Sequence, residues 1–199
     1  MKKILLVLLL MLPGICGAQY ELPTRIGGFV LNTDIEQYKD VLRGETTLPI
    51  RFMEALEEVE VRPRPGFKSG YIAYGTCAAP GKIVRIKLKY KDSSKKYYKK
   101  LLKAYRARFG KGKWLGDPFH VVSTWQWSFK EGDQQVNLYL QHNLSDTEEK
   151  FGNSVKLTML NLVGEEIQCF TEKNPDYRAT AGTEEVDHDA ADWEDLIPR

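Results

Sequence analysis

Residues 81–129 read GKIVRIKLKYKDSSKKYYKKLLKAYRARFGKGKWLGDPFHVVSTWQWSF, and their periodicity changes twice. Val84, Ile86, Leu88 and Tyr90 alternate with Arg85, Lys87, Lys89 and Lys91, the two-residue period of a half-buried strand. Asp92-Ser93-Ser94 then supplies side chains suited to a helix N-cap. Beyond it Tyr98, Leu101, Leu102, Tyr105 and Phe109 share one helical face, and Gly110 stands where a C′ glycine ends a helix. Val121, Trp125, Trp127 and Phe129 return to period two. The reading is strand, helix, strand, with most of the chain's positive charge. It predicts a fold and not a chemistry.

Toward the N-terminus, residues 67–76, with Tyr71, Ile72 and Tyr74, predict a strand joined to the next through Ala79-Pro80-Gly81. Residues 52–61 are ambiguous. Met53, Leu56 and Glu57 suit a helix, whereas Glu58-Val59-Glu60-Val61 alternates into Pro63 and Pro65, so a strand is read over at least residues 56–62. Residues 44–49 read as a connection. Thr33 or Asp34 caps a helix to about Leu42, preceded by a short strand at residues 25–31. Toward the C-terminus, residues 111–118 read as a loop. Residues 120–130 and 134–142 form a hairpin about Glu131-Gly132-Asp133. Residues 143–152 read as a charged loop or helical turn. Residues 154–161 are a strand with Val155, Leu157 and Met159 inward, and residues 165–172 a short helix.

A strand feeds a helix three times, near residues 34, 94 and 165, and Tyr38, Lys39 and Leu42 match Tyr98, Lys99 and Leu102 at a constant offset. The expected class is α+β: an antiparallel sheet from two helix–three-strand units, with helices packed on one face. This element order resembles the repeat of beta-lactamase-inhibitor-like and small outer-membrane-assembly lipoprotein folds, whose members are exported and bind other proteins. The runs at residues 66–75 (GFKSGYIAYG), 114–119 (WLGDPF) and 141–143 (QHN) resemble a family of uncharacterised exported proteins of Gram-negative bacteria. The resemblance spans most of residues 24–172 and implies export without implying an activity.

The chain has 199 residues, of which 42% are hydrophobic and 28% charged, ordinary for one globular domain. Lys2-Lys3, the apolar run at residues 4–12 and Cys16-Gly17-Ala18 read as a signal peptide over residues 1–18, cleaved after Ala18. Lipidation of Cys16 is the rival reading, opposed by Pro13 and Ile15 at the positions a lipobox reserves for an aliphatic and a small residue. The expected address is the periplasm or beyond, with a single domain over residues 19–172. No later apolar run is long enough to span a bilayer. Residues 173–199 are acidic and poor in packing side chains, and read as a disordered tail able to fold back on the basic helix. Two cysteines follow the signal, Cys77 and Cys169. In an oxidising compartment they suit a disulfide, the alternative being two buried thiols.

Charge is segregated. Residues 82–113 hold fourteen Lys or Arg against one acid, Asp92. Cleavage removes Lys2 and Lys3 and takes the formal charge from +2 to zero, so its distribution matters more than its sum. Lys95, Lys96, Lys99, Lys100, Lys103, Arg106 and Arg108 lack acidic i,i+4 partners within their helix. They form a candidate anion-binding face for phosphates, lipid headgroups or an acidic protein, or else a solvated face balanced by acids elsewhere. Nucleic acid is disfavoured by export and by the inward placing of Tyr98 and Tyr105. Trp114, Trp125 and Trp127 suit a sugar-binding shelf or, with Phe129, a core. His120 and His142 without a further ligand at metal spacing make no metal site, and His188 lies in an acidic run. No cofactor pattern occurs, and neither does a nucleophile elbow, a zinc-protease motif or a phosphate loop. Glu58 and Glu60 share a strand face and read as solvated charges rather than a glycosidase pair. The expectation is a non-enzymatic binding or assembly accessory domain with an envelope protein or anionic envelope component as partner. The alternatives are a binder of anionic lipid or glycan through residues 95–108, and a hydrolase without a recognisable motif.

Overall fold

The computed structural model describes residues 22–116, 121–143 and 152–175. The expected signal peptide, His120, residues 144–151 and the residues beyond 175, with His188, lie outside them. The described chain runs β1 (Arg25–Ile26), β2 (Phe29–Val30), a 3-10 helix (Ile35–Val41), β3 (Leu42–Ile50), β4 (Met53–Val61), β5 (Phe67–Gly75), β6 (Ile83–Tyr90), α1 (Lys95–Phe109), β7 (Lys113–Trp114), β8 (Val122–Glu131), β9 (Gln134–Asn143), β10 (Gly152–Met159) and α2 (Leu160–Lys173). The class is α+β. Strands β3 to β10 form one sheet in the order β3-β4-β5-β6-β10-β9-β8-β7, antiparallel at every junction, while β1 and β2 make a separate small hairpin.

The period switch after Tyr90 occurs as expected. Ser94 caps α1, its side chain accepting from the Tyr97 N–H at 3.1 Å, and Gly110 ends it at φ 78° with its N–H donating to the Arg106 carbonyl. Tyr98 is buried, and Leu101, Leu102, Tyr105 and Phe109 pack on the core. Beneath them lie Ile86, Leu88, Tyr90, Leu138, Leu140, Val155 and Leu157. Each fully buried aliphatic side chain of this kind contributes about 1.5–3 kcal/mol through burial. The 3-10 helix packs against the same core through Ile35, Tyr38 and Val41.

The expected single helical face requires a correction. α2 packs on the opposite side of the sheet, where Val163 joins Leu56, Ala73 and Val84 in a second, smaller cluster. Leu56 and Ala73 have the opposite pleat parity to Val59 and Ile72 of the main core. Val84 reaches them through a bulge. Ala73 pairs with Arg85 while Tyr74 pairs with Ile83, so Val84 is the extra residue and leaves the ladder that holds Ile86 and Leu88. Residues 44–49 belong to β3 rather than to a connection, despite Gly44 and Pro49. β3 is an edge strand whose register against β4 shifts twice, and edges tolerate proline. α2 begins at Leu160 rather than near residue 165, directly where β10 ends.

Candidate functional site

Because α1 and α2 take opposite sides, α2 covers one end of the sheet face away from α1, and among the described residues no other helix covers it. Strand pairing lines up one row across it: Arg43, Glu60, Tyr71, Lys87, Lys156, Tyr139, Gln126 and Lys113. All but Lys113 are half-buried, and no described helix lies over the middle of the row. Its outer end is neutralised, since Arg43 Nη1 meets Glu60 Oε2 at 3.2 Å. Its centre is cationic. Lys87 and Lys156 stand opposite each other on β6 and β10, and the Lys156 ammonium lies 4.4 Å from the centroid of the Tyr139 ring.

Arg85 adjoins this centre, two pairs along from Lys87 and on the same face. Its Nη2 lies 3.7 Å from the Met53 sulfur, and its buried Nε has no hydrogen-bond partner among the described residues. Burial lowers the Arg85 pKa from its ordinary value, an effect partly opposed by Glu58. Burial likewise holds the Lys156 ammonium below the usual lysine range, and the charges of Arg85 and Lys87 push it further the same way. Like charges brought together at the expense of hydration are unfavourable for folding, and an orphaned guanidinium donor adds to that. An anion laid across the centre would relieve both costs.

The helical candidates divide. Lys95, Lys96, Lys99, Lys100 and Lys103 line one exposed stripe of α1. Its first turn contains no acid, so Lys95 and Lys96 sit at the positive end of the helix dipole. Arg106 differs: its guanidinium carbon is 4.0 Å from the Trp125 ring centroid, while Arg108 stands 5.4 Å from that of Phe109. The stripe and the sheet row lie on opposite sides of the sheet and form two separate cationic surfaces.

Register sets Trp114 directly opposite Trp125, on the sheet face that also carries Trp127. Trp127 is buried, with its indole N–H donating to the Gly110 carbonyl at 3.0 Å, and Trp125 packs on the same core under Arg106. Trp114 is exposed on the short edge strand β7. His142 is buried and stacks on Tyr98 with ring centroids 4.9 Å apart. Its Nδ1 meets Asn153 Oδ1 at 2.7 Å, and Asn153 Nδ2 donates to the carbonyls of Asp92 and Ser94 at 2.8 and 3.0 Å. Since Asn153 turns its amide outward, its oxygen accepts and His142 Nδ1 carries the proton. This histidine latches the turn before α1. Among the described residues no cluster of three or more His, Cys, Asp or Glu is placed to hold a metal ion.

Cys77 and Cys169 form a disulfide. Beside it the buried carboxylate of Glu166 accepts from four successive backbone N–H groups, those of Thr76, Cys77 and Ala78 at 3.0, 2.7 and 3.1 Å and that of Ala79. Such a nest of amides is an anion site, filled here from within. Residue reading found neither this nor the sheet row. The alternation of Arg85, Lys87 and Lys89 marked an outward face, but only the register brings Lys156 and Tyr139 to it. Comparison with family models, with curated proteins and with solved structures found no match.

Proposed function

We propose that this chain is an exported binding module whose open sheet face docks an acidic segment of a partner protein. The observation that carries the reading is the diagonal placing of two partly desolvated cations, Arg85 and Lys156, on neighbouring strands of a face whose middle no described helix covers. From Tyr71 to Tyr139 the row crosses four strands, a footprint of about 14 Å at the usual strand spacing. That width suits a polypeptide better than a single small anion. Tyrosines flanking the cations supply the amphipathic contact area that protein interfaces favour. The row is also nearly palindromic about the β6–β10 junction: Lys87 answers Lys156, Tyr71 answers Tyr139, Glu60 answers Gln126 and Arg43 answers Lys113. This supports two related units, each a helix followed by its strands, meeting at that junction.

A second reading places anionic lipid on the lysine stripe of α1, favoured by the acid-free first turn that holds Lys95 and Lys96 against the helix dipole. One experiment separates them. Titrate a poly-glutamate peptide at low salt into two variants matched for lost charge, Arg85→Gln/Lys156→Gln and Lys99→Gln/Lys103→Gln. The sheet pair is expected to weaken binding about tenfold and the helix pair by less than about threefold. The reverse order, or an unaffected sheet variant, refutes docking on the sheet. Anionic vesicles in place of the peptide test the second reading with the same two variants.

A further inference from the structure

On the other side of the sheet the fold leaves a cleft of about 590 Å³ between the segment entering β1 and the C-terminal half of α1, within the range of small-molecule sites. Its floor is apolar, formed by Leu138 of β9 and Leu157 of β10. Ile26 stands on one wall and Phe109 on the other. Tyr105 also lines it, with its hydroxyl already bonded to that of Tyr90 at 2.8 Å. The rim is cationic. Arg25 and Arg108 both border the cleft and both are exposed, and among the described residues neither has a carboxylate partner. Ala104, one turn before Arg108, is exposed at the mouth, where a longer side chain would close the entrance.

A hydrophilic anion would make no use of the Leu138–Leu157 floor. A neutral hydrocarbon would make no use of two unpaired guanidiniums. We propose that this cleft binds a single-chain anionic amphiphile, its acyl chain against Leu138, Leu157 and Phe109 and its carboxylate or phosphate between Arg25 and Arg108. Apolar burial supplies the driving force, and the charge-assisted contacts fix the orientation. The site is separate from the sheet row and does not rest on it.

The test uses the chain lacking residues 1–18, delipidated, with displacement of a fluorescent fatty acid as the readout. Palmitate and palmitoyl-lysophosphatidate are the anionic competitors, distinguishing a carboxylate from a phosphate head, and hexadecanol is the neutral one. At least one anionic competitor is expected to displace the probe saturably and about tenfold better than the alcohol. Arg25→Gln/Arg108→Gln is expected to bring that competitor down to the level of the alcohol. Ala104→Trp fills the mouth and is expected to weaken probe binding at least about tenfold without lowering the melting temperature. Arg85→Gln/Lys156→Gln is expected to bind the probe like the parent, so failure here and failure of sheet docking are told apart. Absence of saturable binding, as when the chain's own residues 19–21 fill the cleft, overturns the proposal. So does equal displacement by the alcohol, or unchanged binding in the arginine double variant. That double variant lies on the exposed rim and keeps the test decisive if Ala104→Trp fails to fold.

Discussion

Gly75 lies directly under the Glu166 carboxylate, so close that a Cβ on residue 75 would overlap Oε1. The missing side chain lets α2 bring a charge down onto the backbone at the end of β5. Gly75→Ala is expected to destabilise by about 3 kcal/mol, since the carboxylate must leave its four N–H donors or the helix must lift. Glu166→Gln keeps the volume and one acceptor and is expected to cost about 2 kcal/mol. Urea unfolding of both variants checks the order, and a Gly75→Ala protein as stable as the parent would refute the contact.

The disulfide pins the same junction from one helical turn further along. It closes a separation of 92 residues, for which the chain-entropy model gives about 4–5 kcal/mol. Cys77 also donates its N–H to Glu166, so the covalent and polar links share one loop. Cys77→Ser/Cys169→Ser and Glu166→Gln are therefore expected to be non-additive, the triple variant departing from the sum of the two by about 1 kcal/mol. Equilibrium unfolding of the four proteins in the cycle measures it, and strict additivity would mean the links act independently.

Asn153 is the only described side chain bonded at once to His142 and to the carbonyls of Asp92 and Ser94. Asn153→Ala leaves a buried imidazole donor and two carbonyls without it. The expected loss is about 3 kcal/mol, with faster amide exchange in the first turn of α1 than elsewhere in that helix. Exchange rising evenly along α1 would show that Asn153 does not hold the turn.

Much of the fold was legible because the period changes are strong. Tyr98, Leu101 and Tyr105 meet the sheet, and Trp125, Trp127 and Phe129 face them, as their spacing implies. Three things were not legible. β3 carries no alternating apolar pattern, because an edge strand presents little to the core. Val84 follows the alternation of Ile86 and Leu88 in sequence but leaves it in space, because a bulge is a property of two strands together. Lys156 is one lysine in an aliphatic strand until β10 is paired with β6, and only then does it face Lys87. The lysines of α1 were legible because a helix sets its own faces locally, and for the same reason they drew attention from the sheet.

The tyrosines under α1 predict an alkaline limit to stability. Burial raises Tyr105 and Tyr98 to about 12 from 10.0, and raises Tyr90 with them. The folded chain holds these protons above the pH at which the unfolded chain releases them. Their stabilisation is complete below pH 10 and is lost as pH rises toward 12 and beyond. Tyrosinate absorbance is expected to lag behind that of the denatured chain and then to rise with unfolding. Tyr90→Phe removes one of these buried hydroxyls and should flatten the fall. A tyrosinate titration overlaying that of the denatured chain would contradict the burial.

Lys156 offers the sharpest separation of folding from binding. Its folded pKa lies below the ordinary 10.5, so near the folded value the native chain binds fewer protons than the unfolded one. Stability from this group therefore rises with pH from the folded pKa up to 10.5, and its cost is fully present below both. Lys156→Met keeps the aliphatic stem and removes the ammonium together with its contact to the Tyr139 ring. It is expected to stabilise the protein at neutral pH by about 1 kcal/mol, since replacing a poorly compensated buried charge by a well-packed apolar group is often favourable. The same substitution is expected to weaken poly-glutamate binding several-fold at low salt, with the difference shrinking as salt rises. A residue that costs stability and returns affinity is the mark of a binding surface. Thermal melts and peptide titrations on one pair of proteins test both halves. If Lys156→Met melts lower than the parent, its ammonium has a stabilising partner and the electrostatic argument fails. If it melts higher and binds equally well, the charge is a cost of folding alone and the sheet row is not where an acidic partner docks.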